Sequence, residues 1–206
     1  MLEPLEAVQR VVGFGGDDLD ARVALLQVAA GAADRAAGAD AGDEDVDLAV
    51  GVVPDLDGRG LLAGTPSATY LLGGDRLFDW ADGRPILHGI SHTHDFTRLR
   101  DGAPLIAVNT AIEIDPVGQV NVEGIGDKVV GGIGGHPDYC AAAAMSRHGL
   151  SIIAVPSTVG GRSPLVERLS RPVSTPAYDV EVIVTESGHA DLRGADWVRR
   201  RKLIGE

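Results

Sequence analysis

Two short, continuous apolar runs in the last third of the chain constrain its fold more than any other feature. Residues 150–157 read LSIIAVPS and residues 179–187 read DVEVIVTES. Such runs are typical of strands that are covered on both faces, as central strands are in helix-covered sheets. The segment DYCAAAAMSRH at 138–148 predicts a helix, with Pro137 at its first position and Gly149 just beyond its end. The sequence therefore predicts an α/β fold with a mixed sheet covered by helices.

Shorter elements are predicted before residue 138 and at the C-terminus. The turn sequence DPVG at 115–118 separates two strand-like segments, which is the pattern of a hairpin. The segment DRLFDWADG predicts a short helix that ends at Gly83, and DWVRRRKLI at 196–204 predicts a basic terminal helix. The remaining predicted elements are strands at 67–74, 85–91 and 127–135 and a helix over 18–37.

The charge balance limits the partners that this chain is expected to have. Its net charge is −12, which argues against binding to nucleic acid or to an anionic membrane surface. Residues 145–206 nevertheless carry nine bases and seven acids, so an anionic ligand is expected to meet the C-terminal third. The chain has a single cysteine, no apolar run of membrane-spanning length and an N-terminus without a basic region. These features predict a cytoplasmic protein.

Four of the five residues at 131–135 are glycines, and they stand directly before a predicted helix. The stretch lacks the third glycine of a Rossmann fingerprint and the Gly-Lys-Ser/Thr ending of a P-loop. Successive glycines can instead expose backbone N–H groups, and the following helix adds its positive dipole end, so that the loop holds a phosphate or a developing oxyanion. The alternative is that the glycines only let a strand and a helix pack closely.

Several linked segments resemble the acetyl-CoA hydrolase/4-hydroxybutyrate CoA-transferase family, whose members are class I CoA-transferases. GGIGGHPDY, LSIIAVPST and DVEVIVTESGHADLRG are similar to its C-terminal motifs, in order and at matching spacing. Upstream, AVNTAIEIDPVGQV and LLGGDRLFDWADGRP resemble two further family segments. The resemblance covers residues 61–206 and implies a CoA-transferase-like domain of the NagB/RpiA/CoA-transferase type there. Residues 1–60 match poorly and are interpreted as an N-terminal remnant with an acidic linker.

The chemistry that this resemblance implies is movement of coenzyme A between carboxylic acids, or hydrolysis of the thioester. In such enzymes a glutamate carboxylate attacks the acyl-CoA carbonyl, and the CoA thiolate then attacks the resulting anhydride to give a glutamyl-CoA thioester. Acyl-CoA and a short-chain carboxylic acid are the expected substrates, and no permanently bound cofactor is expected. Both additions pass through an oxyanion, which requires hydrogen-bond donors placed in advance.

The resemblance also assigns roles to individual residues. Gly132, Gly134 and Gly135 match the loop that holds the oxyanion. Contacts with coenzyme A are expected from Gly131, Ile133, Asn109, Asp138, Pro156, Ser157 and Thr158. Asp138 is also expected to cap the helix, and Arg193 to pair with a carboxylate. On charge grounds alone, the CoA phosphates are expected to meet Arg147, Arg162 and Arg168, for which solvated surface arginines are the alternative.

The chain departs from the family pattern in two places and in its length. The family's nucleophile lies in a Gly-Ile-His-Thr/Ser-Glu motif that residues 1–60 do not contain, and Glu44 is the nearest glutamate, with a solvated acidic loop as the alternative. His94 stands where the family has an asparagine, and would have to replace it at the oxyanion site. Family chains are longer and contain a second, similar domain. The missing domain leaves several alternatives for this chain: a homodimer, pairing with a complementary N-terminal-domain chain, or a catalytically inactive CoA-binding subunit of a split enzyme.

Two other features suggest different chemistries. The sequence HGISHTHDF contains His92, His94 and Asp95, and alternate residues at a strand end can face one zinc ion, as in one class of zinc hydrolases. Phe96 stands where those enzymes need a further histidine, so no metal is predicted, and surface histidines or a pH-sensitive turn are the alternative to a zinc-dependent hydrolase. Cys140 lies in the first turn of the helix after the glycines, where a thiol pKa can fall, so it is a nucleophile candidate. A small buried residue that packs among the alanines is the favoured interpretation.

Overall fold

The computed structural model describes residues 54, 57–60, 65–71 and 74–205. Residues 96–205 belong to one compact unit, and the described residues up to 95 belong to a second. The predicted helix over 18–37 and Glu44 lie outside the described residues. The predicted domain boundary at residue 60 stays a prediction.

The described part of the smaller unit includes two short helices, α1 (Asp75–Ala81) and α2 (Ile90–Thr93). The helix predicted at 75–83 is confirmed, and it stops before Gly83, whose φ of 68° lies in the left-handed region that glycine adopts at low cost. For their described residues the strands predicted at 67–74 and 85–91 are wrong, because Ala68 and Leu87 form an isolated bridge there and α2 begins directly after Gly89.

The larger unit contains a four-stranded main sheet, two two-stranded ribbons and helices. Its elements in chain order are α3 (Phe96–Asp101), β1 (Ile106–Asn109), β2 (Glu113–Ile114), β3 (Val120–Asn121), β4 (Gly124–Ile125), β5 (Lys128–Val129), α4 (His136–Met145), β6 (Leu150–Ala154), a 3-10 turn (Ala177–Asp179), β7 (Val182–Thr185), β8 (Gly188–Asp191) and α5 (Trp197–Gly205).

The main sheet has the strand order β1-β6-β7-β8. Strands β1, β6 and β7 are parallel, and β8 returns antiparallel to β7, so the predicted mixed sheet is confirmed. The two apolar runs form the central strands, and Ile152, Ile153 and Val182 are fully buried. Burial on both faces is what a continuous apolar run permits, because neither face of the strand has to meet water.

Helix α4 covers the sheet through its small side chains. Ala142 and Ala143 pack with Leu105, Ala107 and Tyr139 in one buried cluster. Alanine side chains let the helix approach the strands closely, and the apolar area that they remove from water stabilises the pair by about 25 cal/mol per Å². None of the helices in the described ranges is both long and apolar enough to cross a membrane.

The predicted hairpin is confirmed in β2 and β3, where Glu113 faces Asn121. Its turn is held by Asp115, whose Oδ1 accepts the amides of Val117 and Gln119 at 3.0 and 2.9 Å. Gly118 has a φ of 91°, which a residue with a Cβ rarely adopts, so the turn depends on glycine at this position.

Two predicted boundaries are corrected by the structure. Helix α4 ends at Met145 instead of His148, and His148 itself takes the left-handed conformation, with a φ of 61°. Gly149 is needed for a different reason, since a Cβ there would overlap the carbonyl oxygen of Ala143. The strand predicted at 127–135 is reduced to β5, which pairs only with β4 in a two-stranded ribbon apart from the main sheet.

Candidate active site

The glycine loop, residues 131–135, lies between the β4–β5 ribbon and helix α4. At its start, the carbonyl oxygen of Glu123 accepts the amides of Val130 and Gly131 at 2.8 and 3.4 Å. At its end, the amide of His136 donates to the carbonyl oxygen of Ile133 at 3.4 Å. Gly134 requires glycine for its φ of 56°. The loop is therefore fixed at both ends and turns sharply before the helix.

The middle of the loop is open to solvent. Gly131, Gly132, Ile133 and Gly134 are exposed, and Gly135 is buried as the residue that precedes α4. A Cβ added at Gly131 or Gly132 would meet no atom within 4 Å. Close packing of a strand on a helix therefore does not account for glycine at these two positions.

The backbone N–H groups of this loop differ in their pairing, since the amide of Gly131 donates to Glu123 and, in the described part of the chain, three others have no backbone acceptor. Among the residues that the structure describes, no carbonyl accepts a hydrogen bond from the amides of Gly132, Gly134 or Gly135. They precede a ten-residue helix, whose first turn contributes a partial positive charge. Such an arrangement can hold an anionic oxygen through backbone donors alone.

His136 and Thr175 lie directly behind the loop, and the sequence analysis assigned neither of them a role. His136 is buried, and its Nε2 lies 3.0 Å from the carbonyl oxygen of Thr110. Its Nδ1 lies 2.6 Å from the hydroxyl of Thr175. Burial lowers the pKa of His136 to about 4, so the ring is neutral at physiological pH. A histidine next to a glycine cluster was the only signal in the sequence.

Asn109 and Cys140 meet each other in the core. The Nδ2 of Asn109 donates to the Sγ of Cys140 at 3.3 Å, and both side chains are buried. Burial raises the pKa of the Cys140 thiol to about 11. Burial and the raised pKa make Cys140 a poor nucleophile, and they confirm the small buried residue that the sequence favoured at this position. The predicted contact between Asn109 and coenzyme A stays a prediction.

The segment after β6 is held by a carboxylate that the sequence analysis did not assign to the site. Ser157 donates both its backbone amide, at 2.8 Å, and its hydroxyl to the carboxylate of Glu186 at the end of β7. The hydroxyl contact lowers the pKa of Glu186 below its ordinary value. Pro156 and Thr158 on either side are exposed, so the turn presents its outer face to solvent.

The other charged residues differ in outcome. Arg193 pairs with Asp191 through two hydrogen bonds, at 3.0 and 2.7 Å, which confirms the predicted carboxylate partner. Asp138 does not cap α4: Gly135 precedes the helix, no side chain bonds to its first amides, and Asp138 is exposed in the first turn. The side chains of Arg147, Arg162 and Arg168 are exposed, and their contacts with phosphate stay predictions.

The histidines of the smaller unit lie on and beside α2, so the premise that they alternate along a strand is wrong. The rings of His88 and His92 stack at 4.3 Å, and Nδ1 of His94 lies 2.8 Å from the hydroxyl of Thr93. Within the described ranges, no three His, Cys, Asp or Glu residues are grouped to hold a metal ion. The role of His94 at the oxyanion stays a prediction.

Comparison with known proteins identifies the relatives of this chain. It is 32% identical over 143 residues to the 4-hydroxybutyrate coenzyme A transferase of Clostridium kluyveri, a match that covers 66% of this chain and 33% of the relative. It is 38% identical over 104 residues to the acetyl-CoA hydrolase of Candida albicans, covering 48% of this chain and 19% of the relative. The match spans about a third or less of these relatives.

A solved structure agrees with these matches. RipA from Yersinia pestis superposes with a TM-score of 0.66 at 27% identity, over 74% of this chain and 37% of RipA. The family model for the acetyl-CoA hydrolase/transferase C-terminal domain matches residues 73–205, which include the glycine loop, the Ser157 turn and all strands of the main sheet. The chain therefore belongs to the acetyl-CoA hydrolase/transferase family and carries its C-terminal domain.

Proposed function

We propose that this chain binds acyl-CoA and supplies the part of a CoA-transferase or acyl-CoA hydrolase site that holds the thioester carbonyl. The amides of Gly132, Gly134 and Gly135 would donate to the oxygen on which negative charge develops during attack. A short-chain carboxylic acid is the proposed acceptor in the transferase reaction, and water in the hydrolase reaction. The observation that carries the proposal is the open glycine loop with unclaimed backbone donors.

The chemical reason for this assignment is the charge that develops in the reaction. Addition to a thioester carbonyl turns a neutral oxygen into an anion, and donors fixed in advance lower the barrier because they do not reorganise during the step. Removing one such donor commonly costs about 10²–10³ in rate. Backbone amides are suited to the task since they carry no charge that would also stabilise the ground state strongly.

The source of the nucleophilic glutamate distinguishes two forms of the proposal. In one, Glu44 attacks the thioester and the chain is active alone or as a homodimer. In the other, a complementary N-terminal-domain chain brings the glutamate and this chain is a CoA-binding subunit. The second form is favoured because residues 1–60 do not contain the family's Gly-Ile-His-Thr/Ser-Glu motif.

A turnover assay on the purified 206-residue chain tests the proposal. Propionyl-CoA and acetate are added, and acetyl-CoA and free CoA are followed by mass spectrometry, while calorimetry measures CoA binding. Acetyl-CoA would indicate a transferase and free CoA alone a hydrolase. Binding without turnover would indicate the subunit. If the chain neither binds CoA nor turns over these substrates, the proposed function is contradicted.

The loop itself is tested by Gly134→Ala against a matched control. Alanine at a left-handed position costs about 1–2 kcal/mol wherever it is placed. Gly83 in the smaller unit has a φ of 68°, and a Cβ there would meet no atom within 4 Å, so Gly83→Ala carries the same backbone cost at a position outside the loop sequence. We expect Gly134→Ala to weaken CoA binding or turnover at least tenfold more than Gly83→Ala does. Equal effects would count against the loop as the binding site.

A further inference from the structure

His136 is a buried polar side chain that the proposed chemistry does not use. It is the first residue of α4 and directly follows the glycine loop. Only 6% of it is exposed, and its backbone amide closes the loop on Ile133. Burying an imidazole is costly unless both ring nitrogens find partners, so its position requires a reason.

Both ring nitrogens are occupied, and the partners determine the tautomer. The carbonyl oxygen of Thr110 can only accept, so the Nε2 that lies 3.0 Å from it carries the proton. Nδ1 is then an acceptor, and the hydroxyl of Thr175 donates to it at 2.6 Å. The Sγ of Cys140 lies 3.6 Å from the same nitrogen. A ring held in this way has no free lone pair with which to take a proton from a substrate.

The two partners belong to separate parts of the chain. Thr110 directly follows β1, which is a strand of the main sheet. Thr175 exchanges backbone hydrogen bonds with Val120 of β3, at 3.0 and 3.2 Å. The ring therefore ties the start of α4 to the end of β1 and to the segment paired with the hairpin. The opposite end of the loop is attached at Glu123, two residues after β3.

We propose that His136 is a positioning residue of the glycine loop, whose neutral ring bridges Thr110 and Thr175 and thereby holds the loop amides in the arrangement that receives an anionic oxygen. This inference rests on the proposed function of the loop and extends it by naming the group that sets its geometry. A charged ring would lose the acceptor at Nδ1, and burial opposes that charge, since it lowers the pKa of His136 to about 4.

Two variants of His136 distinguish the effect of its hydrogen bonds from the effect of its volume in the core. His136→Gln retains a donor for Thr110 and an acceptor for Thr175, whereas His136→Leu retains only bulk. We expect His136→Leu to weaken CoA binding about tenfold and His136→Gln to bind within about threefold of the unsubstituted chain, as measured by calorimetry. His189→Leu, at an exposed histidine of β8, is the control and should leave binding unchanged. Equal binding by all three variants would overturn the proposal.

Loop order provides a readout that needs no ligand. ¹⁵N relaxation of the Gly132, Gly134 and Gly135 amides is compared between the unsubstituted chain and Thr175→Val, which removes the donor to Nδ1 but keeps the shape. We expect increased mobility of these three amides, with the amides of β6 unchanged. Unchanged loop mobility in Thr175→Val would contradict the proposal, whether or not the chain binds coenzyme A.

The protonation of the His136 ring can also be observed directly in the unsubstituted chain. This test therefore holds even if a substituted chain does not fold. Long-range ¹H–¹⁵N spectra at neutral pH should show a neutral ring protonated at Nε2. A ring protonated at Nδ1, or charged, would overturn the bridge between Thr110 and Thr175. If the chain failed to bind coenzyme A but showed this tautomer and a mobile loop in Thr175→Val, the proposed function would fail and the positioning role of His136 would stand.

Discussion

At the residue scale, single polar side chains hold the glycine loop and the Ser157 turn. His136 and Glu186 each connect a turn to a distant part of the chain, since His136 contacts Thr110 and Thr175, and Glu186 contacts Ser157. Each contact joins residues more than 25 positions apart. Substitution of either side chain is therefore expected to act first on the turn that it holds. For His136 the effect is also expected to depend on pH.

The buried ring of His136 makes the stability of the fold depend on pH. An unfolded histidine has a pKa of about 6.5 and the folded one of about 4, so the unfolded chain binds more protons between these values. The contribution of His136 to the free energy of unfolding is therefore largest above pH 6.5. It decreases by up to about 3 kcal/mol as the pH falls from 6.5 through 4. Urea titrations of the unsubstituted chain and His136→Gln at several pH values measure this difference. A difference that does not change between pH 6.5 and 4 would contradict the prediction.

Glu186 provides a second prediction at this scale. Its carboxylate accepts the amide and the hydroxyl of Ser157, so Glu186→Ala leaves that amide without its acceptor. We expect hydrogen exchange of the Ser157 amide to accelerate at least tenfold, with little change at Ile152 in the centre of the sheet. Ser187→Ala, next to Glu186 and exposed, is the matched control. Equal exchange at Ser157 in both variants would show that the carboxylate does not hold the turn.

The sequence revealed the covered strands but not these contacts. Consecutive apolar residues at 152–155 and 182–184 predict burial on both faces from local composition alone, and the structure has β6 and β7 there. The partners of His136 and Glu186 are set by how distant segments meet, which no local pattern encodes. For the same reason the sequence could not distinguish an available Cys140 thiol from one enclosed by the core, where its pKa is raised.

At the scale of elements, the junction between α4 and β6 determines how closely the helix approaches the sheet. The helix ends at Met145, and the chain returns to the sheet within five residues through Gly149. The predicted end at His148 was wrong because the pattern of small and polar residues continues past the point where the backbone must turn. Steric contact between the turn and the helix, which is not visible in the sequence, decides where the helix stops.

Gly149→Ala tests that steric limit. Its Cβ would overlap the carbonyl oxygen of Ala143, which belongs to the helix backbone and cannot move without displacing α4. We expect a loss of about 1–3 kcal/mol in the free energy of unfolding, measured by urea denaturation. Gly188→Ala in β8 is the control, since a Cβ there meets nothing within 4 Å. A loss of stability no greater than that of the control would mean that the turn adapts.

At the scale of the whole molecule, the family membership of residues 73–205 and the missing nucleophile motif have to be considered together. The glycine loop and the Ser157 turn lie within the matched region, whereas Glu44 lies before it. A domain can bind a thioester through its own loop and still be unable to form an acyl-enzyme, because covalent catalysis needs a carboxylate within reach of the carbonyl carbon. The binding and the turnover proposed for this chain can therefore be tested separately.

This separation leads to the last prediction, which concerns the covalent intermediate. Nothing in residues 1–60 matches the family's Gly-Ile-His-Thr/Ser-Glu motif. We therefore expect no CoA adduct on the isolated chain after incubation with acetyl-CoA, as measured by intact-protein mass spectrometry, although CoA itself binds. An adduct that forms on the unsubstituted chain and is lost in Glu44→Gln would contradict this expectation and identify Glu44 as the nucleophile. An adduct that persists in Glu44→Gln would contradict it too, and its site would be found by peptide mapping, because a carboxylate elsewhere in the chain would then have to reach the thioester held by the loop.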